Sequence, residues 1–204
     1  MNLKLRITPR WLPLTFALWA GAIAAGLVPL AQHQFTAGDA ATPPTYWPGA
    51  SNIQRTPGRP TLVMFTHGNC PCTRASLGEL DQILAHHPHQ LDAFIVAFRT
   101  ETTPDPAADR TGRITATGLA MTFDDDGARE ANLFQARTSG QVMLYAHDGR
   151  LTFSGGITGS RGHAGENAGR TAVEMLLDGQ RGPVVTTPVF GCTLPACSVR
   201  TRSH

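Results

Sequence analysis

Lysine is almost missing from this chain. Among 204 residues the only one is Lys4, which excludes both a lysine Schiff base and a phosphate-binding P-loop lysine. Charge is scarce too: Asp, Glu, Lys and Arg make up 16%, against about 25% in an ordinary soluble domain. Four cysteines are far too dilute for a small fold knitted by disulfides. Only one long apolar run occurs, which excludes a multi-span membrane protein, and a 41% hydrophobic share excludes wholesale disorder. The net charge of +2 hides an asymmetry. Lys4, Arg6 and Arg10 precede the apolar run, while residues 32–204 carry 14 basic against 15 acidic side chains. That near-neutral remainder has no basic footprint for nucleic acid, and its length suits one domain.

What is present begins with a leader. Trp11 to Ala31 is a run of 21 residues without a formal charge, and about 20 suffice to cross a bilayer core as a helix. Cations before such a span stay in the cytoplasm. Residues 1–10 therefore read as a cytoplasmic basic segment. Residues 11–31 read either as a transmembrane anchor with its N-terminus inside, or as a signal segment cleaved around Ala20–Ala22 or Ala22–Ala24. Both readings send residues 32–204 across the inner membrane into the periplasm, where disulfides persist, and the anchor reading leaves them tied to that membrane. Residues 32–57 are rich in Pro, Gly, Thr and Ala and lack apolar periodicity, so they read as a linker. The domain is expected over 58–204.

Thr61–Phe65 reads as a buried central strand. Cys70-Pro-Cys-Thr73 opens a helix with Leu77, Leu80 and Leu84 on one stripe and Ile83 beside it, ended by Pro88. Leu91–Phe98 is a second strand. Residues 100–113, with Pro104 and Pro106, read as a loop with a weak helix. Leu119–Phe123 is a third strand, stopped by the acidic turn Asp124-Asp-Asp-Gly127, and Ala128–Phe134 a short helix. Val142–Tyr145 and Leu151–Phe153 flank His147-Asp-Gly149, the strongest hairpin signal in the chain. A last helix is expected over Gly165–Leu177, burying Ala168, Ala172, Val173, Met175 and Leu176. This order predicts an α/β fold, a mixed sheet with helices on both faces.

The chemistry concentrates at Cys70-Pro-Cys-Thr73. Cys70 would be the N-cap, and Pro71 suits the first helical position. Unpaired N–H groups and the positive end of the helix dipole favour a thiolate there, the reactive form in disulfide exchange. A disulfide between Cys70 and Cys72 closes a very tight ring and makes a poor staple, which favours a redox role. Cys192 and Cys197 follow the last helix and leave two readings open. They form a disulfide that clips the tail, or Cys192 reaches back to resolve a disulfide at Cys70 or Cys72. His67 is a metal ligand, a proton donor or a plain loop histidine. Paired thiolates suit soft Cu(I), and His163 in the Gly155–His163 loop would complete a set of Cys70, Cys72 and His163. Arg161 in that loop could anchor an anionic substrate.

Phe65 five positions before Cys70, followed by Phe134–Tyr145 and Asp148-Gly149, resembles the thioredoxin superfamily over about residues 58–180. His67-Gly-Asn-Cys-Pro-Cys-Thr-Arg-Ala-Ser-Leu-Gly-Glu-Leu80, Phe153-Ser-Gly-Gly-Ile-Thr-Gly-Ser-Arg-Gly-His163 and Val189-Phe-Gly-Cys192 are similar to the RedB-like redoxins, a membrane-anchored branch. That second resemblance spans Trp47 to Cys192. It implies a thioredoxin-like mixed sheet flanked by helices, and a thiol–disulfide oxidoreductase acting on protein or small-molecule thiols and disulfides without a cofactor. Cys70 is then the nucleophile, Cys72 the first choice of resolving partner and Cys192 the second. The thioredoxin CxxC is read here as CxxT, with the Thr73 hydroxyl stabilising the thiolate. The cis-proline position falls on Gly140. Two alternatives stay on the same fold. A Cu(I) carrier would use Cys70, Cys72 and His163, although such carriers use CxxxC, which this chain lacks. A thiol peroxidase would need Thr-x-x-Cys, and Thr66 is four residues before Cys70.

Overall fold

A computed structural model describes residues 11–67, 70–98 and 119–194. They belong to two units, divided between Thr36 and Ala37. The first is a single helix, α1 (Leu12–Phe35), 24 residues long and so about 36 Å from end to end. None of its side chains is buried, and it is long and apolar enough to cross a membrane. Pro13 sits in its first turn, where the missing N–H costs nothing. The helix outruns the expected 11–31 because Gln32-His-Gln-Phe35 contains no helix breaker.

The second unit is built on a six-stranded sheet in the order β3-β2-β1-β4-β5-β6. Its strands are β1 (Thr61–His67), β2 (Asp92–Phe98), β3 (Met121–Asp124), β4 (Gln141–Tyr145), β5 (Leu151–Gly156) and β6 (Val185–Thr186). β1, β2 and β3 run parallel, β4 is antiparallel to both β1 and β5, and β6 is parallel to β5. Helix α2 (Pro71–His86) makes the crossover from β1 to β2. The short α3 (Arg129–Leu133) precedes the β4–β5 hairpin, and α4 (Ala168–Leu177) follows it. β1 lies in the middle of the sheet, which explains why its sequence is continuously apolar rather than alternating. This is the expected mixed sheet with flanking helices.

Successive side chains of a strand point to opposite faces, and two cores result. On one face Leu62, Met64, Val142, Leu144 and Phe153 meet the α2 stripe Leu77, Leu80, Ile83 and Leu84, together with Val173 of α4. On the other, Val63, Phe65, Phe94, Met143 and Tyr145 meet Phe134 and Ile53.

Much of that second cover comes from residues 37–57, the stretch expected as a linker. The Trp47 ring stands edge-on to Phe134 and Tyr145, with centroids 4.9 and 5.2 Å away. The Ser51 hydroxyl and the Asn52 N–H donate to the buried Glu130 carboxylate at 2.6 and 3.0 Å. One aromatic plug and a few polar ties suffice to dock a segment that has no periodicity of its own.

α4 departs from expectation in its start and in part of its face, while Ala172, Val173 and Leu176 pack on the core as expected. Asn167 caps it, its side chain accepting the Arg170 N–H at 2.8 Å. Gly169 and Val173 are the buried positions, whereas Ala168 and Met175 are exposed. Gly169 lies against the Gly156 carbonyl, where a Cβ would collide. The acidic turn serves α3: Asp125 accepts the N–H groups of Glu130 and Ala131, both at 2.8 Å. The expected loop at 100–113 and Cys197 lie outside the described residues.

Candidate active site

β1 delivers the chain to the start of α2, where Cys70 is the N-cap in extended conformation (φ −96°, ψ 115°) and Pro71 opens the helix. Cys70 and Cys72 are buried and Cys192 half-buried, and all three are free thiols. Cys70 Sγ and Cys192 Sγ lie 3.0 Å apart although 122 positions separate them in the chain. A covalent disulfide, at about 2.05 Å, is roughly 1 Å closer.

Backbone contacts bring Cys192 there. Beyond α4 the tail runs beside β5 as β6, where the Thr187 hydroxyl donates to the Gly156 carbonyl at 2.8 Å. Gly38 N–H donates to the Val189 carbonyl, Ser139 N–H to the Cys192 carbonyl and Leu194 N–H to the Arg137 carbonyl, each at 2.8 Å. Thr138 and Thr193 form an antiparallel bridge. Gly191 lies directly against the Ser139 carbonyl oxygen, leaving no room for a Cβ. Arg161 Nη1 donates to the Gly191 carbonyl at 2.6 Å.

The segment before β4 also organises the helix start. His67 N–H donates to Ser139 Oγ at 3.2 Å, Ser139 Oγ and Thr73 Oγ1 are 2.8 Å apart, and the Thr73 hydroxyl donates to the His67 carbonyl at 3.2 Å. With Ser139 donating to Thr73, the ring closes and every proton in it is used. The Thr73 hydroxyl therefore does not serve the Cys70 thiolate as expected from the CxxT reading; its single proton is committed to His67. The backbone N–H of Thr73 donates to the Cys70 carbonyl at 3.0 Å and lies near enough to the sulfur to favour its thiolate. Gly140, at the position expected to correspond to a cis-proline, has φ +89° and donates its N–H to the Phe65 carbonyl at 2.8 Å.

The electrostatics set the three thiols apart. Burial is the largest influence on Cys70 and opposes its ionisation. Hydrogen bonds from the Cys192 thiol and from the N–H groups of Cys192, Thr73 and Cys72 outweigh it, holding Cys70 below the ordinary 9.0. Such donors are what a helix N-terminus supplies to a thiolate. Cys72 is pushed up by burial first, then by the charge and hydrogen bond of Cys70, with Arg161 and the Gly162 N–H acting the other way. Cys192 is pushed up to about 12 by burial, its hydrogen bond to Cys70 and the charges of Cys70 and Cys72, against Arg161.

The histidines stand differently. His67 is half-buried, and its Nδ1 is buried without a hydrogen-bond partner. His163 is exposed, its Nδ1 2.9 Å from the Arg161 carbonyl. Among the described residues no three His, Cys, Asp or Glu side chains form a group that could hold a metal ion, the set Cys70, Cys72 and His163 included. Sequence reasoning missed Ser139 and Gly191 altogether. A glycine immediately before Cys192 was the one available signal of a close backbone approach.

No family model and no curated protein matches the chain. Solved structures do. A secreted disulfide oxidoreductase of Mycobacterium tuberculosis overlaps 61% of this chain and 84% of its own at 14% identity, with a TM-score of 0.42. An uncharacterized conserved protein from Geobacillus kaustophilus covers 78% of this chain and 92% of its own at 18% identity and a TM-score of 0.55. A hypothetical protein from Sinorhizobium meliloti covers 80% and 96% at 20% identity and a TM-score of 0.54. The chain shares the fold of the last two over most of its length, and its strand order, crossover and hairpin make that fold thioredoxin-like.

Proposed function

We propose that the chain is a membrane-anchored thiol–disulfide oxidoreductase in which Cys70 attacks and Cys192 resolves. The reading rests on one observation, the 3.0 Å approach of the two sulfurs. The basic segment before α1 argues for an N-terminus in the cytoplasm and a domain in the periplasm.

The Cys70 thiolate attacks one sulfur of a substrate disulfide, breaking the S–S bond and expelling the other sulfur as a thiolate that takes up a proton. A mixed disulfide then joins Cys70 to substrate. Cys192 loses its proton and attacks Cys70 Sγ, and the bond to substrate breaks with its electron pair leaving on the substrate sulfur. Two electrons have passed from the dithiol to the substrate, and Cys70–Cys192 is left as a disulfide. The reverse order oxidises a substrate dithiol. No group beyond thiols and disulfides enters either direction. Cys72 stands beside the pair as a buried thiol, and it is the 3.0 Å approach of Cys192 to Cys70 that favours Cys192 over it as the resolving partner.

The test uses the reduced full-length protein, treated with a limiting amount of oxidised glutathione and mapped by mass spectrometry without reduction. A Cys70–Cys192 peptide pair is expected, and in Cys192→Ser a glutathione adduct that persists on Cys70. Absence of both, with Cys192 found bonded only to Cys197, would falsify the reading. A parallel treatment with hydrogen peroxide separates it from a thiol peroxidase, which would be oxidised far faster by peroxide than by the disulfide.

A further inference from the structure

We propose that Arg161 is the positioning residue of the resolving step: it fixes Cys192 beside Cys70 through Gly191, and supplies the cation against which the Cys192 thiolate forms once Cys70 is bonded to substrate. This rests on the thiol exchange proposed above.

The geometry comes from two anchors. Arg161 is half-buried in the loop after β5, and its Nη1 holds the Gly191 carbonyl at 2.6 Å, one residue before Cys192. The loop in turn is fastened to α2, the helix that carries Cys70. Glu79 of α2 is buried and accepts the Gly165 N–H at 2.6 Å and Arg170 Nη1 at 2.7 Å. The guanidinium thus holds the resolving segment, and the loop that carries it is tied through Gly165 to the nucleophile's helix.

The charge then orders the two steps. Among the described residues the charged and titratable groups acting on Cys192 are Cys70 and Cys72 from the start of α2, and Arg161 from the loop. In the resting dithiol, Cys192 donates to the Cys70 thiolate, and a second negative charge beside it is opposed. When Cys70 enters the mixed disulfide, its charge disappears and its sulfur ceases to be a strong acceptor. Burial and Arg161 remain, and a guanidinium keeps its charge throughout the working range. Cys192 therefore ionises more readily once its target bond exists. It gives its proton to the departing substrate thiolate or to water, attacks Cys70 Sγ, and displaces the substrate sulfur with its electron pair.

The experiment separates the steps. Full-length reduced protein is mixed with oxidised glutathione, quenched in acid at intervals across a pH series, and the Cys70–glutathione adduct followed by mass spectrometry. In Arg161→Gln the adduct is expected to form no more than severalfold more slowly than in the wild type but to decay at least ~10-fold more slowly still at neutral pH, the effect of one pH unit in the ionisation of Cys192. Its decay profile should shift to higher pH, and Arg161→Lys should recover most of the rate. Decay at the wild-type rate in Arg161→Gln sinks the proposal, as does a lysine variant no faster than glutamine. A second measurement does not depend on the Arg161 variants folding: in Cys70→Ala, with Arg161 intact, Cys192 should titrate well below 12, and a value unchanged from the wild type overturns the inference. If the wild type never forms an adduct on Cys70, the exchange reading itself has failed, and the role of Arg161 goes with it.

Discussion

Cys70 and Cys192 meet at one point but arrive by opposite routes. Cys70 is placed by its neighbours in sequence: an apolar strand before it, a proline after it and a leucine stripe over the next turns. Cys192 is placed by nothing local. Its segment has no regular structure beyond an isolated bridge to Thr138, and it is pinned by the carbonyls and N–H groups of residues 137–139 and by Arg161. A nucleophile can be built into a helix start, whereas a partner 122 residues away depends on tertiary contacts that each have to hold.

The largest effects should come from breaking the two sulfurs apart chemically. Cys70→Ser is expected to abolish exchange with a small disulfide, a loss of about 10³-fold or more, because a hydroxyl ionises far less readily than a thiol in the same site. Cys192→Ser should instead leave the first attack intact and stop the reaction at the adduct. Stopped-flow consumption of a chromogenic disulfide distinguishes them: no reaction in the first, one stoichiometric burst in the second. Equal loss in both variants would mean that the two cysteines are not nucleophile and resolver.

Gly191→Ala attacks the placement of Cys192 without touching a sulfur. The added Cβ meets the Ser139 carbonyl oxygen, so the segment must move away from Cys70. Overpacking of this kind costs about 1–3 kcal/mol, and the resolving step should slow by about 100-fold, on the scale of a 1 Å misplacement. Adduct formation at Cys70 should continue. Chemical denaturation and adduct decay measure the two parts, and a variant that resolves at the wild-type rate would show that the close glycine contact does not place Cys192.

These two routes also account for what could be read in advance. β1, α2, β2 and the hairpin follow from patterns confined to a few residues each, and the Cys70-Pro71 helix start is one of them. Residues 37–57 escaped because Trp47 docks as a single plug and needs no periodicity around it. The face of α4 was read only in part: Ala172, Val173 and Leu176 meet the core, but Gly169, a spacer in an apolar pattern, is the position that lies against β5. Thr73 was given to the wrong acceptor because its proton goes to the His67 carbonyl, in a ring that Ser139, 66 positions away, closes. Each miss involves a partner distant in sequence.

Ser139 is where the routes join, since its backbone N–H holds Cys192 and its hydroxyl serves the helix start. Ser139→Ala keeps the first and removes the second. The His67 N–H loses its acceptor and Thr73 a partner, at a cost of about 1–3 kcal/mol for a buried donor left unpaired. The thermal midpoint should fall while the Cys70–Cys192 disulfide still forms. A variant that loses the disulfide but keeps its stability would place the importance of Ser139 on the tail instead.

The smallest effect tests whether the distant partner does more than resolve. The Cys192 thiol donates to Cys70 and helps to hold it below the ordinary thiol value. Removing that donor must raise Cys70 toward or past that value, so its thiolate fraction at neutral pH falls. Cys192→Ala is therefore expected to slow alkylation of Cys70 severalfold at pH 7, with the difference vanishing well above pH 9, where the thiol is ionised in either protein. Cys192→Ser supplies the control, because a hydroxyl can still donate in that place and should preserve part of the effect. Alkylation rates of Cys70 read by mass spectrometry across pH 5 to 10 decide it. If the alanine and serine variants both follow the wild-type profile, the helix start alone activates Cys70, and the tail acts only after the first attack.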